Sequence, residues 1–173
     1  MPATKVKPLG KTVVKGNQGI KIVRSCTINR PAEELYRYWR QVENLPKFMK
    51  HLISVTQTSP VESHWSARAP GGPPVEWDAI IFNEHENSLI AWRSLEGAEV
   101  PNAGSVRFDP APGGQGTEVT VSLEYSPPFG KLGSLVAKMT GEEPGQQITE
   151  DLARFKALME TGEIPSTEGQ PRG

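Results

Sequence analysis

The stretch IKIVRSCTINRPAEELYRYWRQVENLPKFMKHL, residues 20–52, changes its hydrophobic period partway along, and the fold can be worked outward from that change. Over IKIVRSCTINR the side chains alternate as in a strand, and Pro31 ends it because proline has no N–H to give to a sheet. Pro31 suits the first position of a helix, and Glu33 and Glu34 suit its positive end. Leu35, Trp39 and Val42 recur at i, i+4, i+7, which predicts a short amphipathic helix. After Asn44, LPKFMKHL restarts with Pro46 as a helix opener and places Leu45, Phe48, Met49 and Leu52 on adjoining faces, so a second short helix is expected.

From Ile53 to Ser126 the period is two. Strand-like runs fall near 53–58, 62–69, 75–84, 88–96, 104–110 and 117–125, separated by turn chemistry such as Ser59-Pro60 and the two APGG segments at 69–72 and 111–114. Six consecutive strands with short links imply an antiparallel meander. The APGG copies share no flanking pattern and are read as turns, not as a repeat. After Pro127-Pro128 helical spacing returns: a short helix over 133–139 closed by Gly141, then a long one opened by Pro144, striped with Ile148, Leu152, Phe155 and Met159 and ended by Gly162.

The chain of 173 residues is the size of one domain. Nineteen Lys plus Arg against twenty Asp plus Glu give a net charge of −1, without the basic excess that nucleic-acid binding draws on. No run approaches the length of a membrane span and the N-terminus has no signal-peptide core, so a soluble, cytoplasmic protein without stable membrane insertion is expected. Residues 1–19 carry four lysines and no acid and read as a flexible basic arm. Residues 164–173 read as a disordered tail, leaving 20–163 as the folded domain. The one cysteine, Cys26, excludes an internal disulfide and a four-thiolate zinc site and reads as a buried structural thiol.

The expected fold class is α+β: a curved seven-stranded antiparallel sheet around a long C-terminal helix, with two short helices after the first strand. A strongly curved sheet gripping one helix about 10 Å across leaves space at the ends of the groove for large side chains or a ligand. The segments SCTINRPAEELYRYWRQVENLPKFMK (25–50), EWDAII (76–81), LIAWRSLEG (89–97), GSVRFDPAPGGQGTEV (104–119) and EDLARFKALMETGE (150–163) resemble the START-like (SRPBCC) superfamily, and more narrowly bacterial proteins of the polyketide cyclase/dehydrase type. That resemblance, over residues 20–163, implies the helix-grip fold. It also implies a small hydrophobic ligand, since the superfamily includes lipid carriers, coenzyme Q-binding proteins and aromatic polyketide cyclases. It implies no shared catalytic set.

If Glu86 and Asn87 centre a hairpin, residue i faces residue 173 minus i. Trp77 and Ile81 then share one face with Ile90 and Trp92, while Asp78, Ile80, Phe82, Glu84, Leu89 and Arg93 take the other. The tryptophan face is assigned inward. With Trp65, Phe108, Leu123, Tyr125, Leu152, Phe155 and Met159 it would line an apolar pocket, although each residue taken singly also fits ordinary core packing. The Ile80 and Phe82 face is more apolar than solvent requires and would serve either as a homodimer contact or as packing under the N-terminal arm or the small helices. Glu76 and Asp78, about 7 Å apart on one face, lie beside Arg93 and read as a surface charge pair before an acid–base pair.

His51, His64 and His85 lack zinc-helix spacing, so no metal is expected. No serine elbow or phosphate cradle occurs, and no cofactor is implied. The leading reading is a non-enzymatic binder or carrier of a lipid, isoprenoid quinone or polyketide-like aromatic. The alternatives are a cyclase or dehydratase drawing on Arg93, Asp78, Tyr125 or His64, and a protein-interaction module using the Ile80 and Phe82 face.

Overall fold

The computed structural model describes residues 20–69, 72–98, 100–125 and 144–163. The basic arm, the 133–139 helix and the C-terminal tail lie outside them. Strand β1 (Ile20–Ile28) leads to Pro31, whose extended ψ of 147° makes it the N-cap of α1 (Ala32–Arg40) and not its first residue. Its carbonyl still accepts from the N–H groups of Glu34 and Leu35, at 3.1 and 3.3 Å. Leu35 and Trp39 are the buried stripe of this helix. The second α-helix expected to open at Pro46 is instead a 3-10 segment, Val42–Lys47, with Pro46 inside it. Asn44 N–H donates to the Gln41 carbonyl at 2.8 Å and Phe48 N–H to that of Leu45 at 3.1 Å, closing tight turns that need nothing from the proline nitrogen.

Strands β2 (Leu52–Gln57), β3 (Glu62–Ala67), β4 (Val75–His85), β5 (Leu89–Ser94), β6 (Asn102–Pro110) and β7 (Thr117–Tyr125) follow as the alternation predicts, and α2 (Pro144–Thr161) closes the described chain. The seven strands form one antiparallel sheet in the order β1-β7-β6-β5-β4-β3-β2. It is a meander with β1 added beside the last strand, curled as a half-barrel in the helix-grip α+β manner. Helix α2 is lashed along β1 by its last turns. Lys156 Nζ donates to the Thr27 carbonyl at 2.7 Å, Arg30 Nε to the Met159 carbonyl at 2.9 Å, and Asn29 N–H to Glu160 Oε2 at 2.7 Å. Gly162, at φ 84°, ends the helix as predicted.

The β4–β5 hairpin follows the expected register from Ala79↔Ser94 to Ile81↔Trp92 and then breaks: a bulge at Phe82 shifts the pairing to Asn83↔Ala91 and Glu84↔Ile90. The extra residue turns Glu84 to the face of Ile90, the concave one. The expectation that Glu84 shares the outer face with Asp78 is therefore corrected. There it accepts from Arg40 Nε at 2.8 Å and from the Tyr36 hydroxyl, tying α1 to the sheet. Leu89, also expected outside, is buried, so the outer apolar patch shrinks to half-buried Ile80 and Phe82, which is 48% exposed.

Two further expectations change. Arg93 does not pair with Asp78: its register partners are Ile80 and Ala103, and its Nη1 donates to the Ser94 carbonyl at 3.3 Å. Glu76 and Asp78 instead hold His64, which stands directly opposite Asp78 on β3, with 2.8 Å contacts from Nε2 to Glu76 and from Nδ1 to Asp78. Cys26 is only half-buried, because β1 shows most of its length to solvent. Burial still raises its thiol, and the packed core holds Trp39, Phe48, Phe108 and Phe155 as its largest enclosed side chains.

Candidate functional site

The groove between sheet and helix is filled at one end and hollow at the other. At the filled end Phe48 and Phe155 lie tilted together at 4.6 Å between ring centroids, Trp39 meets each of them at 5.2 Å, and Phe108 meets Trp39 at 6.3 Å. Under the first turns of α2 lies a cavity of about 150 Å³, partly open to solvent. An apolar hollow of that order holds a benzene-sized guest without rearrangement.

One wall is a row of indoles. Trp65 on β3 and Trp77 on β4 stand opposite each other in the ladder and stack at 5.8 Å with planes 25° apart. Trp92 on β5 also stacks on Trp65, at 6.4 Å and 24°. The Trp92 indole can lie flat against the sheet because its neighbour on β6 is Gly104: a Cβ there would come within 2.7 Å of Trp92 Cζ2. Leu123 and Tyr125 of β7 and Leu152 of α2 complete the apolar lining, and burial raises the Tyr125 phenol. Of the residues expected at the pocket, Trp65, Trp77, Trp92, Leu123, Tyr125 and Leu152 line the cavity. Ile81, Phe108, Phe155 and Met159 do not. Phe108 and Phe155 are enclosed at the filled end, while Ile81 and Met159 are partly buried against the core.

The expected catalytic candidates mostly face away. His64 and Asp78 lie on the convex side, Arg93 lies on that face of β5, and only Tyr125 reaches the cavity. Hydrogen bonds to the Asp78 and Glu76 carboxylates raise the His64 imidazole, which belongs to a solvated surface cluster.

Besides Tyr125 and the tryptophans, the polar residues that border the cavity are His51, Gln147, Asp151 and Asn102. Asp151 projects from α2 with 5% of its side chain exposed, and its Oδ1 accepts from Arg154 Nη2 at 2.6 Å. Arg154 is itself fixed by donating from Nε to the Phe48 carbonyl at 3.0 Å. Asp151 Oδ2 faces His51 Nδ1 at 3.9 Å, beyond hydrogen-bond reach. Burial raises the Asp151 carboxyl, against the opposing pull of His51 and Arg154, and burial lowers the His51 imidazole. Among the described residues three buried side-chain polar atoms lack a partner, and two of them, His51 Nδ1 and Trp77 Nε1, belong to residues on the cavity wall. Native interiors leave few such atoms. Sequence reasoning treated His51 only as a non-ligand and passed over the helix stripe Gln147, Asp151, Arg154. The spacing i, i+4, i+7 beside the apolar stripe was the available signal.

No group of three or more His, Cys, Asp or Glu side chains among the described residues is arranged to hold a metal ion. No described helix is long and apolar enough to cross a membrane.

Sheet, gripping helix and hollow together define a START-like (SRPBCC) protein. Residues 28–153 match the family described as polyketide cyclase / dehydrase and lipid transport, and the chain belongs to that family. A protein of Deinococcus radiodurans known from its crystal structure is 40% identical, with a TM-score of 0.70 over 83% of this chain and 99% of its own. The Zhui aromatase/cyclase of a Streptomyces species superposes with a TM-score of 0.64 over 85% of this chain and 99% of its own, at 11% identity, a likeness of fold alone. A START superfamily protein of Mycobacterium smegmatis shares the fold likewise, with a TM-score of 0.61 at 13% identity over 80% of this chain and 98% of its own. No curated protein matches the chain.

Proposed function

We propose that this is a cytoplasmic protein that binds a small hydrophobic ligand (a lipid, isoprenoid quinone or polyketide-like aromatic) with part of it in the hollow between the sheet and α2. The observation that carries the reading is the row of stacked indoles along one wall of an apolar cavity that opens to solvent. Rigid aromatic walls offer a flat guest contact area at little entropic cost, and few polar groups compete for it. Family membership supports the ligand class. Organic extraction of the purified protein followed by mass spectrometry is expected to recover such a molecule, or the emptied protein to take up added quinone at micromolar concentration. Protein that carries nothing and takes up nothing overturns the reading.

A cyclase or dehydratase role is the second reading, favoured by the His51 and Asp151 pair on the cavity wall, where titratable groups could move protons on a folded substrate. It requires turnover of a poly-β-ketone analogue that His51→Ala abolishes while binding persists. The Ile80 and Phe82 face is retained as a contact between two copies, supported by the exposure of Phe82. A mass that stays monomeric in light scattering at every concentration removes that contact.

A further inference from the structure

We infer that His51 is the polar anchor of the cavity: its Nε2 accepts a hydrogen bond from the hydroxyl of a phenol- or enol-type ligand, while Asp151 holds the imidazole in the tautomer that leaves Nε2 free. The inference rests on the cavity being a ligand site and specifies which ligands it prefers.

The geometry fixes the tautomer. His51 is held by its own backbone, whose carbonyl accepts from Arg68 N–H at 2.8 Å, so the ring is delivered to the cavity wall from the residue just before β2. Of its two ring nitrogens, Nδ1 is the enclosed one, without a partner, and it faces Asp151 Oδ2 at 3.9 Å. Asp151 cannot turn away, since its other oxygen is occupied by Arg154 and Arg154 by the Phe48 carbonyl. A nitrogen lone pair aimed at a carboxylate oxygen is repelled, whereas an N–H is attracted, so the proton of the neutral ring belongs on Nδ1. Charging the ring is favoured by Asp151 but opposed by burial, the largest effect, and by Arg154 and Arg68, and the net shift is downward. The neutral ring therefore presents Nε2 as an acceptor, and the side chain keeps 34% of its surface open.

The acceptor selects at its own position. A hydroxyl, phenol or enol can donate to Nε2; a ketone, quinone or methyl ether of the same shape offers Nε2 only another lone pair and has to turn to a donor elsewhere on the wall, such as the unpartnered Trp77 Nε1–H. The apolar lining places the ring of such a ligand against the indoles and its hydroxyl toward α2.

The probes are p-cresol, 4-methylanisole and toluene, and titration calorimetry on the full chain reads their affinities. Cresol is expected to bind roughly three- to tenfold tighter than the anisole, and His51→Phe to erase the difference while toluene still binds. Long-range proton–nitrogen spectra of labelled wild-type protein provide a reading that does not depend on any variant folding. His51, one of three histidines, should show a protonated Nδ1 and a bare Nε2 whose resonance moves on adding cresol and not on adding toluene. Equal affinities with an unmoved Nε2, or a ring protonated at Nε2, overturn the anchor and leave the cavity reading standing. Failure of all three probes to bind removes both.

Discussion

Replacing Gly104 by alanine is the sharpest single test of how the cavity wall is built. The added Cβ would stand 2.7 Å from Trp92 Cζ2 and 3.0 Å from the Ser122 carbonyl oxygen. Carbon contacts settle near 3.5–4.0 Å, and the backbone oxygen cannot yield, so the indole edge has to retreat by about 1 Å toward the hollow. Overpacking of this kind costs roughly 1–3 kcal/mol, and the relief of replacing a strand glycine returns about 0.5–1. A net loss of about 1.5 kcal/mol remains, or a Tm lowered by about 3–6 °C for a chain of this length. Because Trp92 stacks on Trp65, near-UV circular dichroism should change with it, and toluene affinity should fall as the indole enters the space. Trp92→Phe in the Gly104→Ala background removes the clashing edge, so the two substitutions should couple by at least about 0.5 kcal/mol. Unchanged stability with a native near-UV spectrum would falsify the claim that Gly104 shapes this wall.

The two shifted histidines set opposite limbs of the stability–pH curve. His51 is lowered from 6.5 by burial, so its contribution is present above pH 6.5 and lost as pH falls through the folded value; His64 is raised from 6.5 by Asp78 and Glu76, so its contribution is complete below pH 6.5 and lost as pH rises through the folded value. Urea melts are expected to show His51→Gln flattening the acid side and His64→Gln the alkaline side, and slopes untouched by either substitution would contradict this. Phe155→Ala, which empties the centre of the filled end, should cost about 3–5 kcal/mol in the same melts, and a loss under 1 would mean that the aromatic cluster is not the core. The Tyr36 phenol is pushed up to about 12 by burial and by its bond to Glu84, so Glu84→Gln should bring its titration back toward 10, read by carbon NMR of the ring; an unmoved titration would mean that burial alone sets it. Leu152→Phe grows into the cavity from α2 and should weaken toluene binding more than about tenfold while stability stays within about 1 kcal/mol, whereas undiminished binding would place the guest elsewhere.

The element order was legible because each change of hydrophobic period in the sequence corresponds to a change of structure: alternation through β2 to β7, then the Ile148, Leu152, Phe155 stripe of α2. The face assignment of Trp65, Trp77 and Trp92 followed from the same alternation. What stayed hidden had specific physical causes. Nothing in IFNEHEN marks Phe82 as the bulged residue, and that one insertion moved Glu84 from the outer face to Tyr36 and Arg40. Pro46 fits both a helix opener and the inside of a 3-10 turn, and the sequence pattern does not distinguish them. Asp78 had two cationic partners within reach of the pattern, Arg93 across one ladder and His64 across the other, and the strand on its far side claimed it. Which aromatic residues line a hollow and which fill a core depends on position along the groove, a coordinate that alternation does not carry. Phe108 and Phe155 were therefore grouped with the cavity and belong to the plug.

Curvature alone does not explain why one end is hollow. At the filled end rings arrive from α1, the 3-10 segment, β6 and α2, and they meet across the groove with Trp39 edge-on to Phe155 at 89° and Phe48 tilted at 35° to it, so sheet and helix are joined through aromatic contact. At the other end the three indoles turn to one another along the sheet, and their faces are satisfied sideways instead of by the helix. The helix opposite supplies Ile148 and Leu152 and, next to them, Gln147 and Asp151; Asp151 accepts from Arg154 along α2 and turns its other oxygen toward His51 at 3.9 Å. Collapse of the space onto these side chains would take a polar group from its partner, at about 1–3 kcal/mol, or an indole from its stack. The hollow is therefore a consequence of which side chains face each other, and its polar rim arises from the same residues that prevent it from closing.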